Sequence, residues 1–511
     1  MLYNDRSATS QDNKNINGSD VELNTMEKRL SPSLYAVEAQ YDHYDTSYGY
    51  SVDEPVKTAE ERALVRKLDF YIMPIICILD FLQFLDKTTI NYAALFNFKE
   101  DLNLTGFQYS FLGSIFYLGY LLYQLPNNFF LQRFSVGRYI GVIVTVWGIV
   151  LACTALGENF SQVAAMRFLL GFFEAGTYPA LTLLVSTCYR RSEQAARLGA
   201  FWTWSGVALI IGGLISYGVG KMENDLGIAK WKWIMIILGC ATIFMGIVSF
   251  FFLVDNPKSK ALRLNAEQEI LVEERTRDNS VVRTTTIKKH QIKEALCEVR
   301  FWALGFACLF INLQNGAITI YNAQIVQDFG FNQIESVLLS VGSGGADIIF
   351  IIIAVMVAKR TGETLLTACG MMLIDLIGLI LLQVIPVMRV KLVGFYMVWS
   401  YCAAYVLMIA SVSNNISGYT KKIFYNGSLM IFYTIGNFIG PMLMFDSEKP
   451  DYRTGMVVYC VTSFLVMCLF TLTRFKMAAV NRVRLERPSG VVTNVEDDLS
   501  DVQDPNFIYR L

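Results

Sequence analysis

Apolar residues in this chain come in long runs, not in the narrow stripe of a soluble amphipathic helix. The runs predict helices over residues 70–94, 107–127, 138–156, 161–187, 197–219, 232–254, 301–325, 335–358, 363–386, 391–412, 424–445 and 454–474. Most are near the ~20 residues that carry a helix across the hydrocarbon core of a bilayer. Charged residues crowd instead into the first seventy positions, the stretch 255–300 and the last forty. Six runs precede the polar segment and six follow it. The pattern predicts an all-α membrane protein of twelve transmembrane helices in two six-helix halves. Its expected divisions are a tail over 1–65, a half over 66–254, a central loop over 255–300, a half over 301–475 and a tail over 476–511. Residues 1–60 lack apolar periodicity, and 486–505 are acidic and rich in turn formers, so both tails are expected to be disordered. A surface helix is expected around Ala266–Arg277.

Composition agrees with the pattern. Of 511 residues, 54% are hydrophobic and only 17% charged, with mean hydropathy +0.40. A soluble chain carries nearer a quarter charged residues. The net charge of −1 offers no basic face to nucleic acid. No cleaved signal peptide is apparent, so the first hydrophobic helix is expected to target the chain. The cysteines are scattered through apolar runs without a C-x-x-C pair and read as small buried side chains. His43 and His290 both lie outside the runs, which excludes a histidine metal site or an intramembrane histidine relay. There is no G-x-x-x-x-G-K-[ST] loop, so the chain carries no ATPase of its own. No cofactor and no enzymatic activity are predicted, and transport would draw on an ion gradient or the solute's own.

Two short basic turns occupy matching places in the halves. Gln132-Arg133-Phe134-Ser135-Val136-Gly137-Arg138 follows the second run, and Lys359-Arg360-Thr361-Gly362 follows the eighth. They suggest internal repeats about a central pathway. Basic residues of the central segment, and those flanking the first and last runs, place both termini and that segment in the cytoplasm. Trp231 and Trp233 fit an interfacial anchor on the opposite side.

A charge at the bilayer centre costs at least ~2.5 kcal/mol, so ionisable groups inside the runs mark function or a partner. The first run holds Asp80, Gln83, Asp86, Lys87 and Asn91. At 100° per residue Asp80, Gln83, Lys87 and Asn91 share a face, while Asp86 projects about 100° from Lys87. The stripe either lines a cavity or marks the outer end of the helix. The fourth run holds Arg167 and Glu174, which share a face and differ in height by roughly 10 Å. They are either a static packing pair or a proton carrier with its supporting arginine. The seventh run spaces Asn312, Asn315, Thr319 and Asn322 by 3, 4 and 3, a one-sided neutral stripe. It either reads a polar solute or ties helices together. Asp347 and Asp375 are intramembrane acids with no partner visible in the sequence.

The two halves and their basic turns resemble the major facilitator superfamily. Within it, Arg167-x-x-x-Gly171-x-x-Glu174-Ala175-Gly176-x-x-Pro179 and Phe84-Leu85-Asp86-Lys87 with Asn91 and Ala93 are similar to the anion:cation symporter family. The ending Asp498-Leu499-Ser500-Asp501, then Asp504-Pro505-Asn506-Phe507-x-Tyr509, resembles that of fungal allantoate permeases. The resemblance implies proton symport of a small organic anion, such as allantoate, nicotinate or pantothenate. It implies Asp86 and Glu174 as proton-coupling residues, and Lys87 as the cation that meets the carboxylate. Gln83, Arg167, Asn312, Asn315 and Asn322 complete the expected substrate contacts. Lys87 stands where bacterial members have arginine, replacing a bidentate fork with a point charge. The resemblance also implies that Arg133, Gly137, Arg138, Lys359, Arg360 and Gly362 form gating turns, although Gln132 stands where the superfamily usually has aspartate. A monomer in the plasma membrane is expected, with the endoplasmic reticulum as the alternative. The competing functions are a nutrient-sensing receptor of the same fold, an organic-anion facilitator and an exporter.

Overall fold

The computed structural model describes residues 58–222, 227–265, 267–272, 288–486 and 498–511, and all of its secondary structure is helical. The expected disorder of residues 1–57 and 487–497, and half of the surface helix near Ala266–Arg277, lie outside the described residues, while 267–272 are helical.

The first half contains α1 (Ala59–Ala94), α2 (Gly106–Arg133), α3 (Val136–Thr154), α4 (Phe160–Glu174), α5 (Thr177–Cys188), α6 (Arg191–Lys221) and α7 (Lys230–Phe252). A short helix, α8 (Lys289–Cys297), leads into the second half. That half contains α9 (Val299–Asp328), α10 (Gln333–Thr361), α11 (Thr364–Val384), α12 (Lys391–Val398), α13 (Ser400–Asn415), α14 (Tyr419–Ile439) and α15 (Arg453–Glu486). Ten spans are long and apolar enough to cross a membrane, counting α4–α5 and α12–α13 as one each. Helices α2, of 28 residues, and α14, of 21, have the length to cross beside them. The result is the expected all-helical bundle of two halves.

Several boundaries differ from the hydropathy runs for local reasons. Helix α1 starts eleven residues earlier than expected, because Thr58 caps it by accepting from the Glu61 N–H at 3.1 Å, with Glu60 and Glu61 in the first turn. The fourth run splits between Glu174 and Thr177. Pro179 lacks an N–H and its ring crowds the carbonyl four residues back, at Ala175. Helix α15 runs on past residue 474 to Glu486.

Glycines set how closely helices approach. A Cβ at Gly171 of α4 would overlap the Phe116 carbonyl of α2, and one at Gly344 of α10 would sit 2.5 Å from the Gly206 carbonyl of α6. Small residues at such crossings are the means by which membrane helices pack without a hydrophobic drive. The halves meet along α6 with α10, α2 with α14 and α1 with α9.

The two ends of the bundle differ. One, the tail end, carries the start of α1, the central segment and residues 498–511. The other, the far end, carries the turn after α1 and the segment between α14 and α15. At the far end the halves are stitched together. The Tyr109 hydroxyl lies 3.0 Å from the Ile320 carbonyl and accepts from Gln324 Nε2 at 2.7 Å. Ser110 and Tyr321 share a 2.7 Å hydrogen bond, and Asn91 Oδ1 accepts from the Ala323 N–H at 2.8 Å. Lys99 stands 3.8 Å from Asp446 and 4.2 Å from the Tyr109 ring centre. This set closes the far end.

The expectation of a disordered second tail does not hold for residues 498–511. They are packed on the tail end of the second half, where Ser500 and Asp501 are fully buried. The acidic residues that read as solvating find buried cations there.

Candidate functional site

Helices α1 and α4 run in opposite directions, so rising positions on one meet falling positions on the other. That places Lys87 Nζ 3.2 Å from Glu174 Oε1. Glu174 is fully buried, and Gln83, on the same face of α1 as Lys87, is buried as well. The sequence offered Arg167 as the partner of Glu174, and the structure supplies Lys87 instead. Arg167, 2% exposed, donates from Nη2 to Thr89 Oγ1 at 3.0 Å, and Thr89 Oγ1 in turn donates to the Asp86 carbonyl at 2.7 Å. The Arg167 Nε is buried and has no hydrogen-bond partner.

Lys87 and Arg167 line one small cavity with Ile90, Gly113, Phe116, Tyr117, Thr319 and Ile320. Its volume of about 10 Å³ has room for one water. The cavity therefore spans both halves, with two cations from the first and a hydroxyl, Thr319, from the second. The Lys87 ammonium also lies 5.9 Å from the Phe116 ring centre and 5.8 Å from that of Tyr120. Tyr117 and Tyr120 pack against Tyr433 of α14. Nothing in the sequence singles out Phe116, Tyr117 or Tyr120. Tyr117 and Tyr120 sit among apolar neighbours and carry no signal until α2 is seen beside α14.

The remaining expected site residues divide. Asp86 is fully buried and turned toward α7, where Thr242 Oγ1 donates to its Oδ2 at 3.2 Å. The helical angle between Asp86 and Lys87 already implied that they face different neighbours. Asp80, on the face of Lys87, has a buried Oδ2 without a hydrogen-bond partner. Asn312 and Asn315 are used between helices. Asn437 Nδ2 donates to Asn312 Oδ1 at 3.0 Å, Asn315 Nδ2 donates to Asn437 Oδ1 at 2.8 Å, and the Tyr401 hydroxyl donates to Asn315 Oδ1 at 2.9 Å. Asn322 accepts from Ser343 of α10 at 3.1 Å. Asn315 keeps partial exposure, whereas Asn312 and Asn322 are buried. Of the two intramembrane acids without a visible partner, Asp375 accepts from Gln314 and from Ser463, each at 2.6 Å. Asp347 lies 3.5 Å from Ser205 across the halves.

The two basic turns are alike in sequence but not in construction. Gly362 ends α10 with φ 72°, a left-handed cap that favours glycine. Gly137 is needed for close approach, because a Cβ there would lie 2.7 Å from the Leu253 carbonyl. Arg133, Arg138, Lys359 and Arg360 are exposed at the tail end.

The sequence pattern of the Major Facilitator Superfamily matches residues 76–443, which is most of the chain. This chain belongs to the Major Facilitator Superfamily. Within the superfamily it is 30% identical to the allantoate permease of Saccharomyces cerevisiae, over 99% of this chain and 98% of that one. It is 32% identical to an uncharacterised transporter of Schizosaccharomyces pombe, over 91% of this chain and 93% of that one. These likenesses put it in a fungal branch like the allantoate permeases. Its fold matches a bacterial homologue of the human lysosomal transporter Spinster, crystallised inward-facing and unoccupied, with TM-score 0.62 and 15% identity over 79% of this chain and 96% of that one. As a member of the superfamily it is a multi-pass membrane transporter and not an enzyme.

Proposed function

We propose that this superfamily member imports a small organic anion together with protons, and that the anion binds between Lys87 and Arg167. One observation carries the reading. Arg167 is a buried cation on a cavity wall that, among the described residues, has no carboxylate within ion-pair distance and leaves its Nε unbonded. A buried orphan donor on a charged group calls for a partner, and a solute carboxylate fits.

The coupling follows from competition. Lys87 carries a single positive charge, which Glu174 already balances. An arriving carboxylate draws Lys87 away, leaving Glu174 buried without its cation. A buried charge stripped of its partner is costly, so proton uptake accompanies anion binding. Asp86, held by Thr242, is the second proton site in this scheme. Asn315, Thr319 and the tyrosines beside Lys87 supply hydrogen-bonding partners, while Asn312, Asn322 and Gln83 hold their neighbours in place. The gating turns brace the tail end, which is the cytoplasmic side of the plasma membrane in this reading. The allantoate permease relative supports a nitrogen-rich carboxylate as the solute.

The test is uptake of a labelled panel of small organic acids by cells producing the protein, at acidic and neutral external pH. One acid should enter faster at acidic pH and stop entering with a protonophore. Arg167→Gln should reduce its uptake about 10- to 100-fold, the loss of one charge-assisted hydrogen bond of about 1.5–3 kcal/mol. Uptake indifferent to pH and protonophore would remove the proton. Full uptake by Arg167→Gln would remove the site.

A further inference from the structure

The docked tail is more than a loose end at rest on the bundle. Two asparagines each grip one tail residue by both of its backbone groups. Asn481 of α15 donates to the Tyr509 carbonyl at 2.7 Å and accepts from its N–H at 2.8 Å. Asn415, at the end of α13, donates to the Arg510 carbonyl at 2.8 Å and accepts from its N–H at 2.7 Å. Eight residues before the first of these grips, the Asp501 carboxylate, fully buried, ion-pairs with Arg300 of α9 and with Lys421 of α14, the latter at 2.9 Å. It also accepts from the Tyr509 hydroxyl at 2.7 Å. The guanidinium of Arg300 lies 4.6 Å from the Tyr509 ring centre. Lys421 reaches on to Glu294 of α8 at 2.7 Å, and the Thr364 N–H that opens α11 donates to the Leu511 carbonyl at 2.6 Å.

All these anchors belong to α8 or to the second half. A transporter of this fold works by moving one half against the other around a fixed site. A strap confined to one half and its lead-in helix need not open for that motion. The same helices α9, α13 and α14 carry Asn315, Tyr401 and Tyr433 at the candidate site, so fixing their tail-end tips fixes the second-half wall. We propose that residues 498–511 are a permanent brace that makes the tail-end tips of α9, α11, α13, α14 and α15 one rigid body, with Asp501 as its positioning residue for transport.

Burial raises the Asp501 carboxyl, but Arg300 and Lys421 outweigh it and hold the group below its usual value. The brace therefore stays charged at any cytoplasmic pH and is no pH switch. With Asp501 neutral, Arg300 and Lys421 still face Glu294 and Glu298, so Asp501→Asn should fold.

The test is amide hydrogen exchange on the purified full-length protein. In Asp501→Asn, exchange over residues 413–422 should rise at least about 10-fold, while residues 318–324 at the far end stay as in the parent. Asn481→Ala should loosen the same segment. Unchanged exchange at 413–422 in both variants, or a rise spread equally to the far end, overturns the brace. Permanence is tested separately by Asn415→Cys with Arg510→Cys, oxidised to tie the tail down. Uptake of the solute within about 2-fold of the reduced protein is expected, and arrest on oxidation overturns a brace that stays docked. This last arm rests on the transport reading above, whereas the exchange arm needs no solute, so the two can fail separately.

Discussion

At the scale of single residues, the site turns on how few charges face one another. Lys87 brings a single positive charge and meets one carboxylate, Glu174, and Arg167 is anchored by a hydroxyl instead of an acid. The sequence made both cations visible, because an ionisable group inside an apolar run is conspicuous. It could not pair them, since Lys87 and Glu174 are 87 positions apart and meet only through antiparallel packing of α1 on α4. Lys99 gives a titration to follow outside the membrane-spanning helices. Burial, with the like charge of Lys449, lowers its pKa from 10.5 to about 8 despite Asp446. Below about 8 the lysine is protonated folded or unfolded, and the cost of burying that charge is fully present. Between about 8 and 10.5 the unfolded chain binds more protons than the folded one, so this group's contribution to stability rises with pH. Acylation of Lys99, followed by mass spectrometry across pH, should show a midpoint near 8. A midpoint near 10.5 would mean that the far-end turn is wetter than described here.

At the scale of elements, the apolar runs located the helices and the special residues set their ends. Pro179 ends α4 just after Glu174 inside a run that hydropathy reads as continuous, which puts that carboxylate at a helix terminus. The seventh-run asparagine stripe was also visible. Its partner Asn437 on α14 is 122 positions from Asn315, so the choice between solute contact and helix contact is open until the two helices are seen together. The docked tail was misread because Asp498 and Asp501 look solvating when their cations, Lys288, Arg300 and Lys421, are distant in sequence. Glycines sort by what lies opposite them. Gly171→Val would drive methyls into the Phe116 backbone, whereas Gly345 has open space around it. Backbone cannot yield as a flexible side chain does, so Gly171→Val should cost about 1–3 kcal/mol or more. Thermal unfolding in detergent should show Gly171→Val well below the parent and Gly345→Ala close to it. Equal midpoints for the two variants would mean that α2 and α4 are not packed at Gly171.

For the whole molecule, the arrangement of bonds between halves says which way the pathway is shut. Tyr109, Ser110 and Asn91 of the first half hold Ile320, Tyr321, Ala323 and Gln324 of the second, all at the far end and all beyond the cavity of Lys87 and Arg167. Such a seal must break for a solute to enter from that side, so its strength sets the balance between the two facing states. Tyr109→Phe keeps the ring beneath Lys99 but removes the hydroxyl that meets Ile320 and Gln324. Each neutral hydrogen bond contributes about 0.5–1.5 kcal/mol, so losing two shifts the balance toward the far-open state by roughly 5- to 150-fold. A cysteine placed at Thr319 on the cavity wall reports the change. In sealed vesicles, a membrane-impermeant maleimide applied from the far side should label Thr319→Cys faster when Tyr109→Phe is added, and more slowly from the tail side. If both sides sped up together, the variant would have loosened the bundle without tilting it. If neither changed, the seal would rest on Asn91 and the Lys99–Asp446 contact, and the same measurement on Asn91→Ala would locate it.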